Sequence, residues 1–163
     1  MKRLIHIFFA AAVLAAASSC DRQMDPLDKP YVTISDEDGM TSMNILATAS
    51  GLQTTLTIAL HSRLMDHDIT VGYRVTPGDG IREGTDFTMK QKLEGTVTFV
   101  PGVFTKNLYF NWFPNPALDA SKDCTVRVQI TSCSDPEVTI GELRCYETTP
   151  IVKDNYIYKR ILK

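Results

Sequence analysis

From Tyr31 onward, β-branched and aromatic residues occupy every second position in short runs, and turn formers separate the runs. Met43, Ile45, Ala47 and Ala49 share one parity, and Leu56, Ile58 and Leu60 share another, flanked by Thr55 and Thr57. Ile69, Val71, Tyr73 and Val75 line one face of a third run, with Thr70, Gly72 and Arg74 on the other. Val97 and Phe99, then Leu108, Phe110 and Trp112, then Val126, Val128 and Ile130 continue the pattern, and Val138 and Ile140 begin a further strand. A period of two puts alternate side chains on opposite faces of a strand, so each run reads as half buried. The breaks are Ser50-Gly51, Met65-Asp66-His67, Pro77-Gly78-Asp79-Gly80, Pro101-Gly102, Pro114-Asn115-Pro116 and Ser134-Asp135-Pro136, all turn chemistry. Tyr156 and Tyr158, within Asn155 to Arg160, read as a final strand closing a sheet. No segment carries the period of an amphipathic helix. The pattern predicts an all-β domain over residues 31–163, an Ig-like β-sandwich of about seven to nine antiparallel strands.

Ahead of that body the pattern changes. Basic Lys2 and Arg3 precede an apolar stretch from Leu4 to Ala17, broken only by His6, and small residues follow. This is the division of a secretory signal, and it is shorter than the ~20 apolar residues that span a bilayer. The run Ala17-Ser18-Ser19-Cys20 resembles the lipobox of bacterial lipoproteins, with Ala17 where Leu is commoner. The resemblance implies a signal peptide over 1–19 and acylation of Cys20 with palmitate-type chains. Residues 20–30 are polar, carry Pro26 and Pro30 and show no apolar period, so they read as a tether. Acidic Asp21 and Asp25 resemble the export signals of surface lipoproteins in Gram-negative glycan users. The expected location is the outer membrane, lipid-anchored and exposed at the cell surface.

The whole chain of 163 residues carries 17 Lys and Arg against 19 Asp and Glu, and removing the leader leaves 15 against 19. That negative balance gives no electrostatic reason to expect nucleic acid. With 44% hydrophobic residues, 8 Pro and 9 Gly, the composition excludes collagen-like and wholly disordered chains. Its length suits one domain with a core of its own.

Four pieces of the body carry a family likeness: Ile69-Thr70-Val71-Gly72-Tyr73-Arg74-Val75, Gly84-Thr85-Asp86-Phe87, Gly95-Thr96-Val97-Thr98-Phe99-Val100-Pro101-Gly102, and Thr105-Lys106-Asn107-Leu108. In order and spacing they resemble the Calx-beta domain over about Tyr31 to Tyr146. In physical terms Gly84 and Gly102 can supply positive φ, Asp86 can bond nearby backbone, and Phe87 and Phe99 can fill the sandwich. Calcium-binding members of that family place an acidic cluster just after the strand that here ends at Trp112. This chain has Phe113-Pro114-Asn115-Pro116-Ala117-Leu118-Asp119 there, and one carboxylate is too few for a cation that takes six to eight oxygens. No metal and no cofactor is expected.

Other candidates are weaker still. Ser35-Asp36-Glu37-Asp38-Gly39 lacks the spaced ligands of a calcium loop and reads as a solvated turn, although its acids can in principle approach Asp119. His61 to Asp68 gathers two imidazoles and two carboxylates without metal-ligand spacing, at a place where the family likeness implies a hairpin. His61 and His67 are the imidazoles left after the leader, both in that loop, and no nucleophile elbow, phosphate loop or zinc helix is present. The reading is therefore not an enzyme.

The aromatic run Tyr109-Phe110-Asn111-Trp112-Phe113 suits sugar stacking. Tyr109, Asn111, Trp112 and Phe113 are the candidate binding residues. Alternation turns Trp112 toward the core with Leu108 and Phe110, while Tyr109, Asn111 and Phe113 face out. Cys124, Cys133 and Cys145 allow at most one bridge. If the strand holding Cys124 forms a hairpin with the next, a six-residue loop puts Cys124 opposite Cys145, whereas a four-residue loop pairs Val126 with Cys145. The function expected is that of a non-enzymatic surface lipoprotein, a binding accessory for glycan capture, with polysaccharide or a surface protein as partner. The alternative is a structural or adhesion module.

Overall fold

A computed structural model describes residues 29–143 and 151–162. Their strands are β1 (Tyr31–Ser35), β2 (Ser42–Leu46), β3 (Leu52–His61), β4 (Ile69–Pro77), β5 (Phe87–Met89), β6 (Glu94–Phe99), β7 (Thr105–Trp112), β8 (Thr125–Cys133), β9 (Thr139–Ile140), β10 (Glu142–Leu143), β11 (Ile151–Val152) and β12 (Asn155–Ile161). Among the described residues there is no helix, and hence none long and apolar enough to cross a membrane. Two five-stranded sheets, ordered β5-β7-β3-β1-β9 and β2-β12-β8-β4-β6, form the sandwich, and β10 and β11 make a small separate pair.

The alternation fixes which faces meet. Leu56, Ile58 and Leu60 of β3 and Leu108, Phe110 and Trp112 of β7 point inward from the first sheet. Ile69, Val71, Tyr73 and Val75 of β4, Val126, Val128 and Ile130 of β8, and Tyr156 and Tyr158 of β12 point inward from the second. One contiguous core results. Its thickest part is aromatic, where the Tyr158 ring from the second sheet lies 4.9 Å from Trp112 and 5.0 Å from Phe110 of the first. The turn chemistry also holds, since Gly84 and Gly102 adopt φ of 81° and 86°, a region closed to most side chains.

Connectivity departs from the sequence reading in a systematic way. Each connection from β1 through β9 leads from one sheet to the other, so none of these consecutive strands pair as a hairpin. The connections are multi-residue arches, several carrying Pro or Asp, rather than the two-residue turns that fold a strand back beside its predecessor. The segment from Ser62 to Asp68 thus crosses between sheets instead of forming the expected hairpin. The same holds after β8, whose neighbours are β4 and β12, while β9 pairs with β1. The hairpin registers proposed for Cys124 and Cys145 therefore do not form. Cys124 and Cys133 are free thiols, and Cys145 lies outside the described residues, as do Cys20 and the leader. The sheets are not wholly antiparallel, because β12 runs parallel to β2 and β9 parallel to β1. The final strand is inserted between β2 and β8 instead of closing an edge.

Candidate ligand-binding face

On β7 the alternation places Tyr109 and Asn111 on the outer face of the first sheet, with Tyr109 41% exposed, and Phe113, the residue just after the strand, is 38% exposed. Registration supplies their neighbours: Thr55 lies opposite Tyr109 on β3, and Gln53 on β3 and Thr88 on β5 flank Asn111. The row is aromatic at its ends and hydroxyl- or amide-bearing between and beside them. Beyond Met89 strand β5 stops, and Gln91 continues its role. The Gln91 Nε2 donates to the Asn107 carbonyl (3.0 Å), and its Oε1 accepts from the Tyr109 N–H (3.2 Å). Lys90 N–H donates to the Tyr109 carbonyl (3.2 Å), and the Lys90 ammonium sits 5.5 Å from the Tyr109 ring centroid. Tyr109 is therefore held by its backbone while its ring stays on the surface. Gln91 and Lys90 were not singled out from sequence, because a polar residue just past a strand end carries no periodic signal.

Trp112 does not belong to this face. Its ring is fully buried, 5.5 Å from Phe87 and 6.0 Å from Phe110, and its Nε1 donates to Thr54 Oγ1 at 2.9 Å. A ring with no exposed surface cannot stack on a ligand, so Trp112 is corrected from contact residue to core.

The histidines are separated from one another in chemistry. His61 stacks on Tyr31 (4.4 Å between centroids), shares a hydrogen bond with Thr33 Oγ1 (3.0 Å), and is held below the ordinary imidazole value by burial and by Lys153. Thr33 is itself buried, which removes its hydroxyl from any substrate. His67 instead lies between two carboxylates, Nδ1 to Asp66 Oδ1 at 2.8 Å and Nε2 to Asp135 Oδ2 at 3.1 Å. A neutral imidazole has a single N–H, so only the imidazolium donates to both. The hydrogen bonds it donates to Asp66 and Asp135 accordingly raise its pKa. The clip joins the β3–β4 crossing to the turn after β8. Because the folded-state pKa is raised, its contribution is complete below the ordinary imidazole range and is lost as pH rises through the raised value. At the acid end Asp66, held low by the His67 hydrogen bond, loses its share as pH falls through its own lowered value. In a two-dimensional NMR titration His67 should titrate above the ordinary imidazole value and His61 below it, and Asp135→Asn should bring His67 down. Coincident midpoints, or no response to Asp135→Asn, would contradict the clip.

At one end of the sandwich Asp79, Arg82, Thr85, Asp86, Asn115, Asp119 and Lys122 line a cleft. Its carboxylates are already engaged. Asp79 Oδ1 accepts from Asp123 N–H (2.8 Å) and Asp86 Oδ2 from Arg82 N–H (2.8 Å). Asp86 Oδ1 accepts from Asn115 Nδ2 (2.7 Å), and Asp119 Oδ1 from the N–H and hydroxyl of Ser121 (3.1 and 2.6 Å). The Ser121 bonds hold Asp119 below the usual carboxylate range. Two cationic side chains, Arg82 and Lys122, line the same cleft. Among the described residues no three His, Cys, Asp or Glu side chains gather to hold a metal. Asp36 is no reserve ligand: its Oδ1 accepts from Asp38 and Met40 N–H (3.1 and 2.7 Å), its Oδ2 accepts from the Tyr156 hydroxyl (2.9 Å), and Tyr156 lies near the start of β12, whose other end, near Arg160, meets Cys124 beside Asp119. The two acidic segments sit at opposite ends of β12. The residues of the cleft do not fit calcium.

Neither described thiol is primed as a nucleophile. Burial, and then Asp119 and the neighbouring carboxylates, push Cys124 up, and its Sγ donates to the Asp119 carbonyl at 3.3 Å; burial also pushes Cys133 up.

No protein-family model matches the chain, and no curated protein does. Among solved structures it is similar to the Calx-beta domain structure CBD12 from CALX1.2, with a TM-score of 0.51 and 12% identity over 80% of this chain and 44% of that one. It is also similar to Bacteroides thetaiotamicron EndoBT-3987 with Man5GlcNAc product, with a TM-score of 0.49 and 13% identity over 79% of this chain and 30% of that one. The chain spans less than half the length of either. The first likeness establishes a Calx-beta-like fold.

Proposed function

We propose that this Calx-beta-like sandwich is a non-enzymatic, lipid-anchored lipoprotein of the outer-membrane surface that captures glycan on the outer face of its first sheet. The observation that carries the reading is the row Tyr109, Asn111 and Phe113, with two exposed aromatic rings bracketing an amide on a backbone that Gln91 and Lys90 hold in place. Sugar rings present apolar faces rimmed by hydroxyls, and an exposed ring beside Asn, Gln and Thr matches both features. The anchor in this reading is Cys20, and residues 20–30 hold the sandwich off the membrane. A glycan array probed with residues 21–163 tests it, and binding to at least one neutral or charged polysaccharide is expected.

A second reading, a protein-interaction or adhesion module, is favoured by the edge at β2. Among the described residues that strand pairs only with β12, and its Leu46 is 45% exposed. Silence across the whole array would favour it over glycan capture.

A further inference from the structure

Arg160 puts a cation where the pattern of β12 calls for an apolar side chain. It shares the inward parity of Tyr156 and Tyr158 and is 2% exposed. Its Nη2 donates to the carbonyls of Ala47 (3.0 Å) and Phe113 (2.8 Å), and its guanidinium lies 5.6 Å from the Trp112 ring centroid. Its Nε and Nη1 are buried with no hydrogen-bond partner among the described residues. A cation is strongly disfavoured in such a place unless it holds something together. The two carbonyls belong to different loops, Ala47 to the turn after β2 and Phe113 to the connection after β7.

The same connection is tied to a third loop and back to the first. Phe113 N–H donates to the Asp86 carbonyl (2.9 Å), Asn115 Nδ2 to Asp86 Oδ1 (2.7 Å), and Asn115 N–H to the Ala47 carbonyl (2.7 Å). Asp86 is itself buried and precedes β5. Burial lowers the Arg160 pKa, while the field of Asp86 acts in the opposite sense and favours the charged guanidinium. The positive centre therefore holds two backbone carbonyls from two loops directly, and the third loop is tied in one step away, through the bonds of Phe113 and Asn115 to Asp86.

We infer that Arg160 is an internal structural cation that fastens the loop after β2 to the connection after β7, and through the Phe113 and Asn115 bonds to Asp86 steadies the loop before β5, and so positions Phe113 at the end of the candidate face. The fastening stands without the glycan reading; only the use made of Phe113 rests on it. The test uses residues 21–163, which contain every strand of both sheets. Arg160→Met strands the Phe113 carbonyl, leaves the Ala47 carbonyl with the Asn115 N–H as its remaining donor, and should lower the melting temperature by about 10 °C. Hydrogen exchange at the Phe113 and Asn115 amides should quicken about tenfold, while Leu60 and Val75, whose amides are bonded in the distant strands, keep their protection. Arg160→Lys keeps the charge and enough donors for both carbonyls, but its shorter side chain loses reach and the planar guanidinium beside Trp112; it should show the same localised change at smaller amplitude, and it carries the test should Arg160→Met fail to fold. Millimolar calcium should raise the melting temperature of neither the wild type nor the variants. Uniform loss of protection across all four amides, unchanged exchange at Phe113 and Asn115, or a calcium-dependent rise in the wild type would each overturn the inference. Loss of array binding with intact Phe113 and Asn115 protection would bear on the glycan reading instead.

Discussion

Trp112→Ala should lower the melting temperature of the sandwich by about 15 °C, the loss that follows from ~4 kcal/mol in a domain of this size. The indole is the chain's single Trp and touches aromatic rings of both sheets, Phe87 and Phe110 on its own side and Tyr158 on the other. Truncation removes those contacts, leaves a cavity that a β-sandwich cannot close by sliding its strands, and strands the Thr54 hydroxyl that the indole N–H satisfies. Trp112→Phe keeps most of the volume and should cost ~1–2 kcal/mol, mainly through the lost hydrogen bond. Calorimetry of residues 21–163 checks both values. A Trp112→Ala variant melting within a few degrees of wild type would mean that the ring is not the keystone between the sheets.

Cys20→Ala should abolish acylation and move the chain from the membrane to the soluble fraction. A single acyl chain gives only marginal, reversible binding, whereas several on one cysteine, each gaining ~0.8 kcal/mol per buried methylene, hold a protein in place for the duration of any fractionation. The effect is close to all or none. Metabolic labelling with a clickable fatty acid, followed by membrane separation, reads it directly. Wild type that fails to label, or label that survives Cys20→Ala, would remove the anchor from the account.

How far the sequence carried these conclusions depends on whether a feature is local or not. Inward and outward parity is local, and it placed Leu108, Phe110 and Trp112 in the core and Tyr109, Asn111 and Phe113 outside as found. The roles of Gly84, Gly102, Asp86, Phe87 and Phe99 were equally legible, because a turn needs positive φ or a side-chain acceptor and a sandwich needs large plugs. Strand partnership is not local. The crossings at Ser62 to Asp68 and after Cys133 look like loops of either kind, and the hairpin assumption behind the Cys124 and Cys145 registers failed for that reason. Parallel pairing of β12 with β2 brings together residues more than a hundred positions apart and leaves no trace in either segment.

Arg160 marks the boundary between the two cases. The alternation Tyr156, Tyr158, Arg160 already assigns it the inward face, so its burial was readable; its partners, Ala47 and Phe113, were not. Gln91 and Asn115 belong to the same class, polar residues outside the strands whose meaning comes only from what the fold sets beside them.

In the proposed reading the outward ring of Tyr109, not the buried ring of Trp112, meets the ligand. It is tested most directly by measuring the affinity of residues 21–163 for the polysaccharide they capture on the array, comparing wild type, Tyr109→Ala and Trp112→Phe at a temperature where all three are folded. About tenfold or greater loss of affinity is expected in Tyr109→Ala, corresponding to ~1.4 kcal/mol, and wild-type affinity in Trp112→Phe. Unaltered affinity in Tyr109→Ala, with Trp112→Phe impaired while still folded, would contradict it.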